Sequence, residues 1–289
     1  RGLRFASRFG FSIAPETAAA IHALRGRLET VSRERLRKEL SGLLTGRGAA
    51  RILTAFSDVA CVLIPELADC IGFVQYNPHH TMDVWQHTLH VLDNIEPEEP
   101  MRLAALLHDI AKPEVFYFDK NLIGHFAGHA VAGAAMAETI LKRLRYDAAT
   151  VREVTELVRG HMLLLPASER AARRLLAQAG PEKTRRLLRL HRADRMGKGT
   201  EEKAALEAQV RAAEALVEAV LQKESCFSLR QLALSGGDLI AQGIPQGPEI
   251  GEILNDLLQR VIAGELSNEK TTLLEEAVAF AQRNACKKK

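Results

Sequence analysis

The chain has 289 residues, a length that allows one large domain or two to three small ones. With 47% hydrophobic and 26% charged residues, its composition is that of a globular protein and excludes a disordered or fibrous chain. Aromatic residues make up only 5%, and the abundant Ala, Leu, Arg and Glu favour helices over sheets. No uncharged apolar run reaches membrane-spanning length, and four scattered cysteines without a CxxC pattern indicate reduced thiols. We therefore expect a cytoplasmic protein.

The beginning of the chain has two unusual features. It starts at Arg1 and its first methionine is Met82, so we expect a processed chain or a fragment. Residues 1–50 hold ten Lys/Arg and four Asp/Glu, a net of +6, whereas the whole chain carries +3 and the remainder therefore −3. A basic region of this kind is typical of proteins that bind nucleic acid or nucleotides. A solvated helix face explains the charge equally well.

Apolar periodicity predicts an all-α fold. Two helices are expected within residues 14–45, the second capped by Ser32, and the turn signal Asn77-Pro78 marks a boundary. Only residues 115–124 indicate β structure, as one small hairpin. The remaining predicted helices cover residues 48–65, 83–94, 100–111, 126–145, 148–160, 168–178, 181–195, 201–222, a segment that begins at Pro248, and 268–284.

Histidine and aspartate residues recur in order along these predicted helices. His108 and Asp109 lie near the end of an otherwise apolar helix, Arg102–Ala111, about 100° apart, so both can reach one cation. Polar groups on an apolar helix are costly unless a partner satisfies them. Imidazole nitrogens with carboxylate oxygens suit Mg²⁺, Mn²⁺, Fe²⁺, Co²⁺ or Ni²⁺. The ordered series is His87, His108, Asp109, His129, His161 and Asp194.

A cation held by this series would activate water and polarise a phosphoryl oxygen, which predicts phosphoester hydrolysis. Lys112, one turn on, either offsets phosphate charge or interacts with the helix dipole as a C-terminal cation. His125 and His129 are four residues apart and would share a helix face. His90 and His191 would support the ligands or lie at the surface. A single histidine of this kind is more often structural, so the prediction depends on the ordered series.

The series resembles the HD superfamily of metal-dependent phosphohydrolases. The resemblance implies that His87, His108, Asp109 and Asp194 are the metal ligands and that His129 and His161 serve a second metal or the phosphate. His108, Asp109 and Lys112 would then be the catalytic residues. The segment HDIAKP carries Ala111 where many members have Gly, a departure that we expect to be harmless.

The flanking segments are similar to a second family, the bacterial CCA-adding enzymes and poly(A) polymerases. Residues 1–13 (RGLRFASRFGFSI) and a helix with Glu34, Arg35 and Glu39 resemble the neck of these nucleotidyltransferases. Residues 75–87, 121–129 (NLIGHFAGH) and 237–264 resemble other parts of its members. The resemblance extends from Arg1 to about Ala277.

This resemblance implies a neck over residues 1–75, an HD-type body over 76–200 and a tRNA-binding tail over 201–289. In the neck, Arg1, Arg4, Arg35 and Glu39 would contact the nucleotide, because guanidinium groups bind bases or phosphates bidentately. The alternative is that they cap and pair along a surface helix. A basic stretch either follows an RNA backbone or solvates two helices; its candidate RNA-binding residues are Arg173, Arg174, Arg185 and Arg186.

Members of that family carry a catalytic head with a Gly-Ser turn followed by paired carboxylates. These 289 residues contain no such segment, so we expect this chain alone not to polymerise nucleotides. The first hypothesis is the neck, body and tail of a CCA-adding tRNA nucleotidyltransferase, with tRNA as partner and ATP and CTP as substrates of the intact enzyme. Two alternatives stay open. One is a stand-alone HD phosphohydrolase acting on nucleotides or RNA ends, and the other is a non-catalytic tRNA-binding fragment with a structural metal.

Overall fold

The computed structural model describes residues 1–77, 81–196, 203–223 and 227–287. Over these residues the all-α prediction is confirmed. The helices are α1 (Gly2–Phe9), α2 (Pro15–Leu24), α3 (Arg33–Leu44), α4 (Ala49–Ala55), α5 (Ser57–Leu63), α6 (Val84–Asp93), α7 (Glu99–Leu107), α8 (Lys112–Val115), α9 (His129–Arg143), α10 (Ala148–Gly160), α11 (Glu169–Ala179), α12 (Pro181–Met196), α13 (Lys203–Gln222), α14 (Gly236–Ala241), α15 (Pro248–Ala263) and α16 (Lys270–Lys287).

The predicted hairpin is present as two short antiparallel strands, β1 (Tyr117–Phe118) and β2 (Gly124–His125). Tyr117 pairs with His125, and Phe118 pairs with Gly124. Short 3₁₀ segments cover Arg25–Thr30, Pro65–Cys70 and Leu229–Gln231. Cys61 and Cys70 are free thiols, as expected, whereas Cys226 and the side chain of Cys286 lie outside the described part of the chain.

Two predicted helices end differently from the expectation. The helix predicted over 48–65 is broken at Phe56, whose backbone leaves the helical region (φ −127°, ψ 41°) and whose ring stacks on that of His22. The helix predicted over 100–111 ends at Leu107. After Leu107 the backbone hydrogen bonds join residues three apart, from Ile110 N to Leu107 O at 3.3 Å and from Lys112 N to Asp109 O at 3.0 Å. A tight turn over 108–111 replaces the last helical turn.

The chain divides into two compact units. The first comprises Arg1–Leu164 with Arg186–Val210, and the second comprises Leu165–Arg185 with Arg211–Lys289. The division into neck, body and tail stays a prediction, and its second boundary, at 200/201, lies outside the described residues. None of the described helices is long and apolar enough to span a membrane.

The first unit is built around α7, whose apolar residues are almost completely buried. Helices α6 and α10 pack against α7, and α9 packs against α10. Gly133 of α9 faces the turn after α7, and a Cβ at this position would make only ordinary van der Waals contact, 3.5 Å from the carbonyl oxygen of His108. The fully buried side chains here include Leu92, Met101, Leu103, Leu106, Leu107, Ile140 and Leu141.

The second unit has its own hydrophobic core. Helix α15 packs against α11 and α16 and contributes most of the buried apolar side chains. A capping box on Ser235 and Asp238 begins α14 next to this core. The core residues are Leu232, Leu234, Leu239, Ile244, Ile253, Leu257, Leu258, Val261, Ile262, Leu273 and Ala277.

Candidate metal centre

Five helices of the first unit bring the predicted ligands together. His87 lies in α6, His108 and Asp109 follow the end of α7, His129 is the first residue of α9, His161 follows α10, and Asp194 lies near the end of α12. All of these side chains are buried. Their donor atoms form two groups, one of His87, His108, Asp109 and Asp194 and one of Asp109, His129 and His161, within which the atoms lie at most 4.8 Å apart.

Helix termini set the positions of these residues. The Asp83–Gln86 capping box begins α6 one turn before His87. Gly128 adopts the left-handed conformation (φ 84°) that lets the chain turn into α9, so His129 faces inward from the first position of the helix. Asp147 caps α10, at whose other end His161 follows. Because these residues lie at or near helix ends, their side chains can extend beyond the helices and meet at one point.

The first group surrounds the Oδ2 atom of Asp109. The Nε2 of His108 lies 3.2 Å from this oxygen and the Nε2 of His87 lies 3.6 Å from it. Asp194 closes the group, with its Oδ1 2.9 Å from His87 Nε2 and 3.9 Å from His108 Nε2. Two carboxylates and two imidazoles therefore face one small volume.

The second group surrounds the other oxygen of the same carboxylate. The Nε2 atoms of His129 and His161 lie 3.4 Å and 3.7 Å from Asp109 Oδ1 and 3.1 Å from each other. Asp109 is thus shared, with one oxygen in each group.

Backbone carbonyls orient three of the imidazoles. His108 Nδ1 donates to Ala105 O (2.9 Å), His129 Nδ1 to Phe126 O (2.7 Å) and His161 Nδ1 to Val158 O (2.6 Å). A carbonyl can only accept, so the proton of each neutral ring is on Nδ1 and the lone pair is on Nε2. All three lone pairs therefore point into the centre.

Burial and charge shift the protonation of the centre. Burial alone would raise the pKa of the Asp109 carboxyl, but His108 and Lys112 outweigh it and hold that pKa well below its usual value. Burial lowers the pKa of His108, yet the charge of Asp109 outweighs burial and raises that pKa above its usual value. Burial, aided by the charge of His108, lowers the pKa of His161 to about 4, and burial lowers the pKa of His129. His161 is therefore neutral at pH 7, as a metal ligand must be.

The side chain of Lys112 contacts that of Asp109 directly. Its Nζ lies 2.7 Å from Asp109 Oδ2 and donates to Gln75 Oε1 at 2.8 Å. Lys112 is the first residue of α8 and lies five residues after the end of α7, so it is not part of the predicted helix over 100–111. Gln75 is buried and fixes this ammonium group, a role that sequence reasoning missed because nothing in the periodicity singles out a lone buried amide.

The other histidines have separate positions. His125 lies in β2, bound to Asp119 at 3.1 Å, so the expected helix face shared with His129 is wrong. Gly124 and Gly128, on either side of His125, are the sequence signal for this break. His191 is buried and donates from Nδ1 to the carbonyl of His161 at 3.1 Å, which supports a ligand as expected. His90 contacts the carbonyl oxygen of Met196 at 3.1 Å.

The candidate neck residues meet at a separate cavity of about 700 Å³ in the same unit. Arg1, Arg4, Arg35 and Glu39 all line it, and Arg4 Nε lies 3.0 Å from Glu39 Oε2. Apolar side chains from α3, α4 and α5, with Phe56 between α4 and α5, form most of its apolar part.

Three of the four candidate RNA-binding arginines pair with carboxylates. Arg173 contacts Glu169 at 3.1 Å, Arg185 contacts Glu218 at 2.7 Å, and Arg186 pairs with Glu98 and Glu153. Arg174 is exposed on α11. RNA binding by these residues stays a prediction.

The buried pair of Lys112 and Asp109 generates a test of stability. We expect Lys112→Met to lower the free energy of unfolding by about 3 kcal/mol in the metal-free protein, because it leaves a buried carboxylate without its closest counter-charge. Denaturant titration in the presence of a chelator measures the loss. Lys142→Met is the matched control, because its pair with Glu138 is exposed and contributes about 0.5 kcal/mol or less. Equal losses of unfolding free energy from the two substitutions would contradict the assignment of Lys112 as the counter-charge of Asp109.

Comparison with known proteins shows the family of the chain. A family model described as tRNA nucleotidyltransferase domain 2 matches residues 128–277, and one described as "Probable RNA and SrmB-binding site of polymerase A" matches residues 10–70. The CC-adding tRNA nucleotidyltransferase of Thermus thermophilus is 35% identical over 97% of this chain and 64% of its own length. The A-adding tRNA nucleotidyltransferase of Deinococcus radiodurans is 32% identical over 98% of this chain and 67% of its own length.

The fold also has a solved counterpart. The crystal structure of the Bacillus stearothermophilus CCA-adding enzyme in complex with CTP matches 99% of this chain and 62% of that chain, with a TM-score of 0.62 and 20% identity. At this identity the match shows a shared fold. The chain spans about two thirds of the length of the curated relatives. From the family model and the curated relatives together, we conclude that the chain belongs to the tRNA nucleotidyltransferase family.

Proposed function

We propose that the candidate metal centre binds divalent cations and hydrolyses phosphoesters, within a protein that acts on tRNA 3′ ends. The observation that carries the proposal is the Asp109 carboxylate, which turns one oxygen to each of two buried groups of imidazole and carboxylate ligands.

The donor set fits a cation. The rings of His129 and His161 both give their Nδ1 protons to carbonyls, so their Nε2 lone pairs face each other at 3.1 Å, beside a carboxylate oxygen. Three electron pairs that converge without a hydrogen between them repel one another, and an unsatisfied buried acceptor is costly. A divalent cation satisfies all three at once. In the first group the Nε2 lone pair of His108 faces Asp109 Oδ2 at 3.2 Å, and His87 Nε2 is hydrogen-bonded to Asp194 Oδ1 at 2.9 Å.

The chemistry follows from this donor set. Mixed imidazole and carboxylate ligands suit Mg²⁺, Mn²⁺, Fe²⁺, Co²⁺ or Ni²⁺, and such an ion supplies Lewis acidity to a phosphoryl oxygen and lowers the pKa of water. His108 and Asp109 would hold the ion at the reacting phosphate, and burial would limit competing bulk water. Lys112 would keep Asp109 in its bridging orientation, with Gln75 holding the ammonium group. An HD-type phosphohydrolase is the function that this geometry supports best.

The relatives support the wider assignment. Proteins named for adding CC or A to tRNA match nearly all of this chain. We infer that residues 1–75, 76–200 and 201–289 serve as neck, HD-type body and tRNA-binding tail, with ATP or CTP and tRNA as ligands of the intact protein in the cytoplasm. In the neck, the shared cavity of Arg1, Arg4, Arg35 and Glu39 supports nucleotide contact. The pairing of Arg4 with Glu39 would hold one guanidinium in place, while Arg35 is exposed at the cavity.

Metal content tests the first part of the proposal. After dialysis against Mn²⁺ we expect one ion for each of the two groups. His87→Ala should remove the ion of the first group and His161→Ala that of the second, whereas Asp109→Ala should remove both because it is shared. Elemental analysis of the dialysed variants measures this directly.

Hydrolysis of a cyclic nucleotide should depend on the same residues as metal binding. Since loss of a group that merely supports a ligand costs 10–100-fold, His108→Ala and Asp109→Ala should each lower the rate by about 100-fold or more. His125→Ala is the control, because this half-exposed histidine binds Asp119 outside the centre. Bound metal without hydrolysis would favour the structural-metal alternative. Unchanged metal content and rate in Asp109→Ala would show that the centre is wrongly assigned.

The neck has its own test. Arg35→Ala should weaken the binding of CTP or ATP about 10-fold, the loss expected for one hydrogen bond to a charged group. Calorimetric titration of the full chain measures the affinity. Arg33→Ala, a change of the same charge on the same helix, should leave it unaltered. Equal losses of nucleotide affinity in the two variants would contradict the assignment of Arg35 to nucleotide binding.

A further inference from the structure

An aromatic cluster lies beside the metal centre and has no role in the function proposed above. Tyr76, Phe116 and Phe118 form its outer part, here called the aromatic platform. Tyr76 and Phe118 contact each other at 5.3 Å between ring centroids, and Phe116 lies 4.8 Å from Phe118 and 6.0 Å from Tyr76. Although they are large and apolar, Tyr76 is 56% exposed and Phe118 is 45% exposed.

The backbone at Tyr76 is held in a strained conformation. Its φ of 47° lies in the left-handed region that a bulky residue rarely adopts. The carbonyl of Tyr76 accepts from Gly124 N at 2.7 Å, and a Cβ on Gly124 would clash with the carbonyl oxygen of Gln75. Glycine at this position therefore permits the close approach that keeps Tyr76 against the hairpin. Strain of this kind persists where the surrounding structure enforces it, often at ligand sites.

Direct contacts join the platform to the metal centre. Gln75, next to Tyr76 in the chain, accepts from Lys112, whose Nζ contacts Asp109. Phe126 makes the second connection. Its ring lies 5.5 Å from Phe116 and 5.1 Å from Lys112 Nζ, and its carbonyl orients His129.

We propose that the aromatic platform stacks the base of a nucleotide whose phosphate is bound at the metal centre. This inference rests on the proposed function, because it assumes that the phosphate binds at that centre. A nucleotide carries a flat aromatic base and a charged phosphate on one sugar. The structure provides an exposed aromatic surface and a cation-binding centre, separated by a single residue, Phe126. Stacking accepts every base, so the site would select nucleotides or RNA ends over other phosphoesters without choosing a sequence.

The same hairpin offers a matched control. Successive residues of a strand point to opposite faces, and Tyr117 stacks on His125 at 5.5 Å while Phe118 contacts Tyr76 and Phe116. Tyr117 is 49% exposed, close to the exposure of Phe118. It is therefore an aromatic residue of similar exposure that lies outside the platform.

The test compares a nucleotide with the same phosphate ester lacking a base. We expect the Mn²⁺-loaded full chain to bind AMP about 10-fold or more tightly than ribose 5-phosphate, measured by equilibrium dialysis. Tyr76→Ala and Phe118→Ala should each reduce the AMP affinity towards that of ribose 5-phosphate. Tyr76→Phe should retain the preference for AMP, since the ring remains, and Tyr117→Ala should behave as the wild type.

Two outcomes would overturn the inference. One is equal affinity for AMP and ribose 5-phosphate in the wild type. The other is an AMP affinity that is the same in Tyr76→Ala and Phe118→Ala as in the wild type, as expected if the base binds only at the neck cavity. Metal content separates this result from failure of the proposed function. A chain that retains Mn²⁺ without base discrimination refutes the platform alone, whereas a chain that retains no Mn²⁺ refutes the metal centre.

Discussion

The first compact unit depends on one buried carboxylate, that of Asp109. An ionised carboxylate that is 2% exposed carries a penalty of several kcal/mol unless its surroundings compensate for it. Lys112 supplies the nearest positive charge, and the imidazoles of His87 and His108 face one oxygen while those of His129 and His161 face the other. His108 and Lys112 are neighbours of Asp109 in the chain, whereas His87, His129 and His161 come from three other helices or helix ends. The charge of Asp109 therefore links the packing of α6, α7, α9 and α10 to the chemistry of the centre.

This constraint explains why three of the candidate ligands lie at helix ends. His108 follows α7, His129 opens α9 and His161 follows α10, and in each case a backbone carbonyl three residues earlier accepts the Nδ1 proton. The three rings thus share one local geometry with the lone pair of Nε2 turned inward. Helix ends and backbone carbonyls together hold these side chains in this arrangement.

Much of this arrangement could be predicted from the sequence. Apolar periodicity predicts the helices well, including α10 over 148–160, because amphipathic spacing repeats over several turns. The ordered His and Asp series predicts the ligands, and the structure brings them into two groups. Local breaks were harder to predict. The apolar pattern continues to Ala111, but α7 ends at Leu107 and a tight turn over 108–111 follows, and Gly128 places His125 outside α9. The role of Gln75 depends on a contact 37 residues away along the chain, which no local pattern encodes.

The most direct test of the central claim is anomalous diffraction from crystals of the chain grown with Mn²⁺. The account predicts one peak between Asp109 Oδ2, His87, His108 and Asp194, and a second between Asp109 Oδ1, His129 and His161. Asp109 would then bridge two ions. A map with manganese bound elsewhere on the protein but with no peak at Asp109 would contradict the account, since Lys112 alone would then compensate the buried charge.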